Sequence, residues 1–172
     1  MSVRHLHGKR SRNFWHSAIL FFGTCAFSGL HLPAPGTVGS FLGIFFYLIF
    51  FRGMDIVEFF IAYAAAIIFA ICICGRSERI LRVRDPSAVN LDEFVAMPLC
   101  YWPLDTLQRA PEWLGWKFLL FGFFLFRLLD ICKPFGINRL QKLPSGLGIV
   151  IDDLAAAALT GLFLPCIFLW LR

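Results

Sequence analysis

Charged side chains are scarce in this chain of 172 residues, because only 16% of them are Asp, Glu, Lys or Arg. An average soluble domain carries about 25%. Apolar residues make up 59% of the chain, including 21 phenylalanines, and the mean hydropathy is +0.73. A soluble globule of this length does not bury so much apolar surface. The composition excludes a disordered chain, a coiled coil and a secreted disulfide scaffold, and it predicts an integral membrane protein.

The sequence also lacks the alternation of apolar and polar residues that marks a β-strand, and it has no visible repeat. Within a bilayer, a chain that forms no barrel has to be helical. We therefore expect an all-α, polytopic helical membrane protein with about four spanning helices and an interfacial or re-entrant segment over 14–32. Residues 1–13 are expected to be a basic cytoplasmic tail, and 14–172 a single membrane domain. The apolar segments are 38–51, 56–74, 94–104, 113–129 and 154–171.

The basic residues are spread unevenly along the chain. Twelve of the 16 Lys and Arg residues lie in the N-terminal tail, in an expected loop at 75–93, and in the connection 127–146. If the apolar segments between these stretches form hairpins, all three stretches lie on one side of the membrane. Basic residues collect on the cytoplasmic side of membrane helices. The charge pattern therefore predicts a multi-pass protein with this side in the cytoplasm.

Five acidic residues lie at the ends of apolar segments on this same side. Asp92 and Glu93 open one segment, Asp130 ends another, and Asp152 and Asp153 open the last. Acids at membrane depth are costly unless they are paired or bind a metal. Carboxylates without His or Cys partners suit Mg²⁺. Helix capping is the alternative, since acids are also favoured at helix N-termini.

Two further patterns each leave two interpretations open. Arg127, Asp130 and Lys133 follow at i, i+3 and i+6, so they share one face of a helix that Pro134 is expected to end. The cations would clamp a phosphate beside a metal ligand, or they would simply complement the helix C-terminus.

The second pattern is the Gly-rich segment Pro33–Ser40, which runs directly into an apolar helix. Its hydroxyls, on Thr37 and Ser40, and its backbone amides would bind an anion at the start of the helix. The segment alone favours a plain turn, with glycine allowing close helix packing.

The chain lacks the residues that several phosphatase mechanisms require. Histidine occurs only at positions 5, 7, 16 and 31, before the acidic residues, and Leu147 follows Pro144-Ser145-Gly146 where a histidine-nucleophile enzyme would have His. Six residues separate Cys132 from Arg139, one more than a cysteine-phosphatase loop has. No Asp-x-Asp pattern offers an aspartyl nucleophile. The mechanism that remains is hydrolysis by a water molecule that a metal ion activates.

Four segments form a larger pattern: Pro33–Ser40, Asp85–Pro86 with Asp92–Val95, Phe126–Pro134 and Gly148–Asp153. Together they resemble the phosphatidylglycerophosphatase A family. They occur in the family's order and span roughly 32–164. The resemblance implies an all-α bacterial inner-membrane enzyme whose active site faces the cytoplasm. With Mg²⁺ it would hydrolyse phosphatidylglycerophosphate to phosphatidylglycerol and phosphate in phospholipid biosynthesis.

The resemblance also implies roles for individual residues. The catalytic and Mg²⁺-binding residues would be Asp92, Glu93, Asp130, Asp152 and Asp153. The phosphate would be neutralised by Arg127 and Lys133, and oriented by Thr37 and Ser40. The expected partner is the membrane lipid substrate, with no nucleic acid despite the net charge of +5. The alternative is a non-enzymatic small membrane protein, a transporter or an assembly factor, whose acidic cluster is structural.

Overall fold

The computed structural model describes residues 14–105 and 115–170, and every regular element within these ranges is helical. This confirms the all-α expectation. The expected basic tail 1–13 and the connection 106–114 lie outside the described residues. The elements are α1 (Phe14–Gly23), α2 (Ser28–His31), α3 (Pro35–Phe50), α4 (Ile56–Leu81), α5 (Leu91–Asp105), α6 (Gly115–Cys132), a 3₁₀ helix (Pro134–Lys142) and α7 (Gly146–Trp170).

Helices α3 to α7 form a bundle with α5 at its centre. Helix α5 packs between α3 and α7 and also contacts α4 and α6, while α7 contacts α4 and α6. Short connections make neighbouring helices antiparallel. The starts of α3, α5 and α7 and the ends of α4 and α6 therefore lie at one end of the bundle, which we call the cavity end.

Two helices are long and apolar enough to cross a bilayer, Ile56–Leu81 and Gly146–Ile167. The helices Phe14–Gly23 and Pro35–Phe50 are apolar but shorter. The number of four spanning helices stays a prediction, and so does the interfacial position of 14–32.

The expected loop at 75–93 is wrong in its first part, because α4 continues to Leu81. A capping box formed by Asp55 and Glu58 starts this helix, and the helix ends where Arg82 takes a left-handed conformation with φ 55°. Arginine is a good helix former. The polar stretch therefore does not end the helix, and 75–81 belong to α4.

The last helix begins earlier than the sequence suggests, at Gly146. A Cβ atom on Gly146 would overlap the carbonyl oxygen of Ile71, so the first turn of α7 rests directly on the backbone of α4. The expectation that Asp152 and Asp153 open the helix is wrong, since they are its seventh and eighth residues.

Aromatic rings fill the bundle core away from the cavity end. The ring of Phe59 stacks on Trp102 and on Tyr63, with centroid distances of 4.8 and 5.1 Å. On the outside, large apolar side chains are exposed, among them Ile61 on α4 (69%) and Phe124 on α6 (64%). This is the reverse of a soluble bundle, whose outer helix faces are polar.

Candidate active site

A cavity of about 370 Å³ lies at the cavity end of the bundle. The start of α3, the loop before α5, the first turn of α5, the end of α6 and the second turn of α7 all contribute to it. The five acids, both cations and Thr37, all named from the sequence, therefore line one space. The lining residues are Ala34, Pro35, Gly36, Thr37, Asp85, Pro86, Ser87, Val89, Asp92, Glu93, Arg127, Asp130, Ile131, Lys133, Gln141, Ile149, Asp152 and Asp153.

Three of the carboxylates converge. One oxygen from each of Asp92, Glu93 and Asp153 lies within 4.8 Å of the other two. Asp92 and Asp153 are buried, and each of the three residues has a buried oxygen without a hydrogen-bond partner: Asp92 Oδ1, Glu93 Oε2 and Asp153 Oδ2. Buried carboxylates so close together are costly unless a cation or a proton joins them. The cluster thus has the donor set and the unmet charge of a cation site.

The other two acids each bond a cationic side chain. Arg127 Nη1 donates to Asp130 Oδ2 at 2.7 Å and lies 3.7 Å from Glu93 Oε1, so this guanidinium joins α6 to the acidic cluster. Lys133 Nζ donates to Asp152. Burial alone lowers the pKa of Lys133, but the hydrogen bond and charge of Asp152 outweigh burial and raise it. Ion pairs therefore fix both Arg127 and Lys133 at the cavity wall.

Helix capping accounts for only part of this acidic group. Asp92 and Glu93 lie in the first turn of α5, where the helix dipole favours them. Asp130 is the third residue from the end of α6, where the dipole disfavours a carboxylate. Asp152 and Asp153 lie beyond the first turn of α7. The position of these last three residues needs another explanation.

The start of α3 separates the two hydroxyl groups singled out in the sequence. Thr37 is exposed and lines the cavity. Ser40 is fully buried, and its hydroxyl donates to the carbonyl oxygen of Gly36 at 2.8 Å. The first backbone amides of a helix have no partner within it. The cavity is therefore lined by the hydroxyl-bearing Thr37 and by Gly36, and the amides of these two residues have no partner within the helix.

Asn90 is a fully buried residue that sequence reasoning missed. Its Nδ2 atom donates to the carbonyl oxygen of Pro35 at 3.0 Å and to Ser28 Oγ at 3.3 Å. Asn90 stands two residues before Asp92, so it ties the start of α3 to the acidic end of α5. A lone asparagine carries no local signal of such a role, because both partners are more than 50 residues away.

Asp85 and Gln141 were also absent from the expected site. Gln141 Nε2 donates to Asp85 Oδ2 at 3.3 Å, which joins the loop before α5 to the 3₁₀ helix across the cavity mouth. Burial raises the pKa of Asp85, and the charge of Lys133 counteracts this in part. Asp85 was recognisable from its place in a family segment, whereas Gln141 had no sequence signal.

Known proteins match most of this chain. A phosphatidylglycerophosphatase A from Haemophilus influenzae is 34% identical over 145 residues, which cover 84% of this chain and 85% of the relative. A phosphatidylglycerophosphatase A from Escherichia coli is 31% identical over 167 residues, covering 91% of this chain and 87% of the relative.

A third relative carries a different name. A putative phosphatidylinositol-3-phosphatase from Bacteroides thetaiotaomicron is 27% identical over 140 residues, covering 80% of this chain and 85% of the relative. No solved structure matches the chain. The family profile described as Phosphatidylglycerophosphatase A matches residues 21–168, which include every residue of the cavity. The chain belongs to the phosphatidylglycerophosphatase A family.

Proposed function

We propose that this protein is a Mg²⁺-dependent lipid phosphatase that hydrolyses phosphatidylglycerophosphate to phosphatidylglycerol and inorganic phosphate. The observation that carries the proposal is the meeting of unpaired oxygens from Asp92, Glu93 and Asp153 in a cavity that also holds two cationic side chains. The three carboxylates favour binding of a metal ion, and the two cationic side chains favour binding of an anion. The names of the relatives from Haemophilus influenzae and Escherichia coli support this lipid as the substrate.

The acidic cluster fits a hard divalent cation. All of its donors are carboxylate oxygens, the ligands that Mg²⁺ prefers. Asp92, Glu93 and Asp153 would hold the ion directly. Asp130 and Asp152 would act around it through water and through the cations that they bond. When bound, Mg²⁺ supplies a Lewis acid that polarises the phosphate and activates water.

The phosphate would lie between the cations and the start of α3. Arg127 and Lys133 neutralise its oxygens, and the hydroxyl of Thr37 and the free amides of the first turn of α3 orient it. Ser40 supports this turn through its hydrogen bond to Gly36. We therefore assign Ser40 to positioning and Thr37 to direct contact with the phosphate.

The reaction is the hydrolysis of a phosphate monoester. Water attacks phosphorus in line with the departing glycerol oxygen, a carboxylate of the cluster accepts the proton of the water, and the P–O bond to glycerol breaks. The proton taken from the water is then returned to the glycerol oxygen, which regenerates the carboxylate and leaves phosphatidylglycerol and inorganic phosphate. Arg127 and Lys133 are fixed by their ion pairs before the substrate binds, so little reorganisation is needed as negative charge shifts in the transition state.

We place the cavity end at the cytoplasmic face of a bacterial inner membrane. The apolar exterior of the bundle suits lipid. Six exposed basic side chains of the described residues lie at the cavity end, which agrees with the tendency of basic residues to stay in the cytoplasm. These residues are Arg76, Arg79, Arg82, Arg84, Arg139 and Lys142.

Phosphate release from phosphatidylglycerophosphate in detergent micelles, with and without Mg²⁺, tests the proposal. We expect Mg²⁺-dependent release that Glu93→Gln abolishes. Glu78→Gln is the matched control, because Glu78 lies outside the cavity lining. A folded protein that releases no phosphate under any of these conditions would support the non-enzymatic alternative. Preferential release from phosphatidylinositol 3-phosphate would change the assigned substrate.

A further inference from the structure

We propose that the cavity opens sideways between α3 and α6, and that the acyl chains of the lipid substrate lie along this opening. Thr37 and Ile131 form its rim. The inference rests on the proposed function and extends it, because it assigns residues that recognise the lipid tail and the route by which the substrate reaches the phosphate site.

Helices α3 and α6 are neighbours at the cavity end. The two helices contact each other, and a Cβ atom on Gly36 would lie 3.1 Å from both terminal nitrogens of Arg127. The flank of α6 that carries Arg127 therefore faces the start of α3. Residues one turn before or after Arg127 lie along the same flank, since side chains three or four positions apart are neighbours on a helix.

That flank of α6 is apolar and exposed on either side of Arg127. Ile131, four residues further on, lines the cavity and yet is 71% exposed. Phe124, three residues earlier, is 64% exposed. A large apolar side chain at the edge of a cavity otherwise rich in acids and cations indicates that apolar material enters there.

Helix α3 carries a second apolar stripe that begins at the cavity. Thr37 is exposed and lines the cavity, and Phe41 and Phe45 follow one and two turns later. Phe41 is 48% exposed and Phe45 is 49% exposed, with their ring centroids 5.3 Å apart. Because α3 starts at the cavity and α6 ends there, both stripes run from the cavity mouth toward the far end of the bundle.

This arrangement matches an amphiphile with a phosphate head and hydrocarbon tails. The polar cavity lies at one end of the two stripes, and the stripe from Thr37 to Phe45 is about 12 Å long at the helical rise of about 1.5 Å per residue. One leaflet of a bilayer has a hydrocarbon thickness of about 15 Å. The tails of a lipid can therefore stay in their leaflet while its head group occupies the cavity.

The test compares substrates with the same head group and different tails. The ratio of kcat/KM for a dioleoyl phosphatidylglycerophosphate to kcat/KM for its dibutanoyl analogue is measured in detergent. Ile131→Trp narrows the opening with an apolar group, and Phe41→Gln makes one stripe polar. We expect each variant to lower the ratio about tenfold, the scale of discrimination that an apolar pocket provides. Phe163→Gln on α7, with 40% exposure at this phenylalanine, is the matched control and should keep the wild-type ratio.

Unchanged ratios in Ile131→Trp and Phe41→Gln would overturn the proposed opening and leave the phosphatase proposal intact. An equal fall in the Phe163→Gln control would also overturn it, because the effect would then belong to any exposed ring. A lower oligomeric state in Ile131→Trp than in the unaltered protein, measured by gel filtration, would also overturn it, because a second copy of the chain would then cover this face. No phosphate release by the unaltered protein from either substrate would contradict the proposed function itself.

Discussion

A methyl group on Gly36 would overlap the Oε1 atom of Glu93, so the first turn of α3 and the acidic end of α5 fit together only because residue 36 has no side chain. The same position lies 3.1 Å from the guanidinium nitrogens of Arg127. Glycine at this point lets free backbone amides, a carboxylate and a cation share one small volume. Close approach of a helix start to the acidic cluster is thus a condition of the proposed site.

Gly36→Ala should therefore reduce phosphate release strongly without unfolding the protein. The added methyl group has to displace Glu93 or Arg127, and a shift of about 1 Å in a catalytic group costs on the order of 100-fold in rate. Gly115→Ala is the control, because nothing lies within 4 Å of a Cβ atom there. Steady-state kinetics in detergent, with thermal unfolding of each variant, measures the effect. Equal activity of the two variants would separate Gly36 from the site.

Asp130→Asn should abolish phosphate release while the protein still inserts and folds. The carboxylate of Asp130 accepts a 2.7 Å hydrogen bond from Arg127 Nη1, and the amide would weaken that charged contact and leave Arg127 free to turn toward Glu93. We expect a loss of on the order of 100-fold or more, as for the removal of other preorganised charged groups. Near-normal turnover would remove Asp130 from the proposed site.

Asn90→Ala should raise KM more than it lowers kcat. The variant loses the hydrogen bonds to Pro35 and Ser28, so the first turn of α3 is held less firmly against α5. Loss of such buried bonds also costs about 1–3 kcal/mol of stability. Thr160→Ala removes a buried hydroxyl that bonds Ala156 on α7, and it is a control for stability alone. A KM that changes equally in both variants would contradict a positioning role for Asn90.

Removal of divalent cations with EDTA should abolish activity, and Mg²⁺ at millimolar concentration should restore it. Calcium should bind but support turnover poorly, because its longer and looser coordination misplaces the phosphate and the water. Cys132→Ser should keep most of the activity, since Cys132 is exposed and lies outside the cavity lining. Full activity in EDTA combined with inactive Cys132→Ser would favour a covalent cysteine mechanism.

Cysteine labelling in spheroplasts tests the proposed orientation of the cavity end in the membrane. On a background without the six native cysteines, Arg79→Cys and Lys142→Cys should be protected from an impermeant outside reagent, because both positions are at the cavity end. Arg52→Cys, in the exposed connection between α3 and α4, should be labelled from outside. Outside labelling at position 142 would reverse the proposed topology.

Much of this protein could be predicted from local features of the sequence. The scarcity of charge and the absence of strand alternation predicted an all-helical chain, as the described residues confirm. The acids at the ends of apolar segments predicted a shared site, since antiparallel helices bring alternate ends together. The four matched segments indicated the family, and the comparison over residues 21–168 confirms it.

The tertiary structure alone decided where the helices begin and end at the cavity and which side chains meet there. Helix α7 starts at Gly146 because its backbone rests on α4, a contact between segments about 70 residues apart that no local pattern reveals. Packing also decided that Thr37 lines the cavity, whereas the hydroxyl of Ser40 bonds the backbone of α3 at Gly36. It likewise placed Asn90 against Pro35. Local sequence determines which residues favour a helix and which are polar. The distances between their side chains depend on how closely α3, α5 and α7 approach, and that is set by packing along the whole bundle.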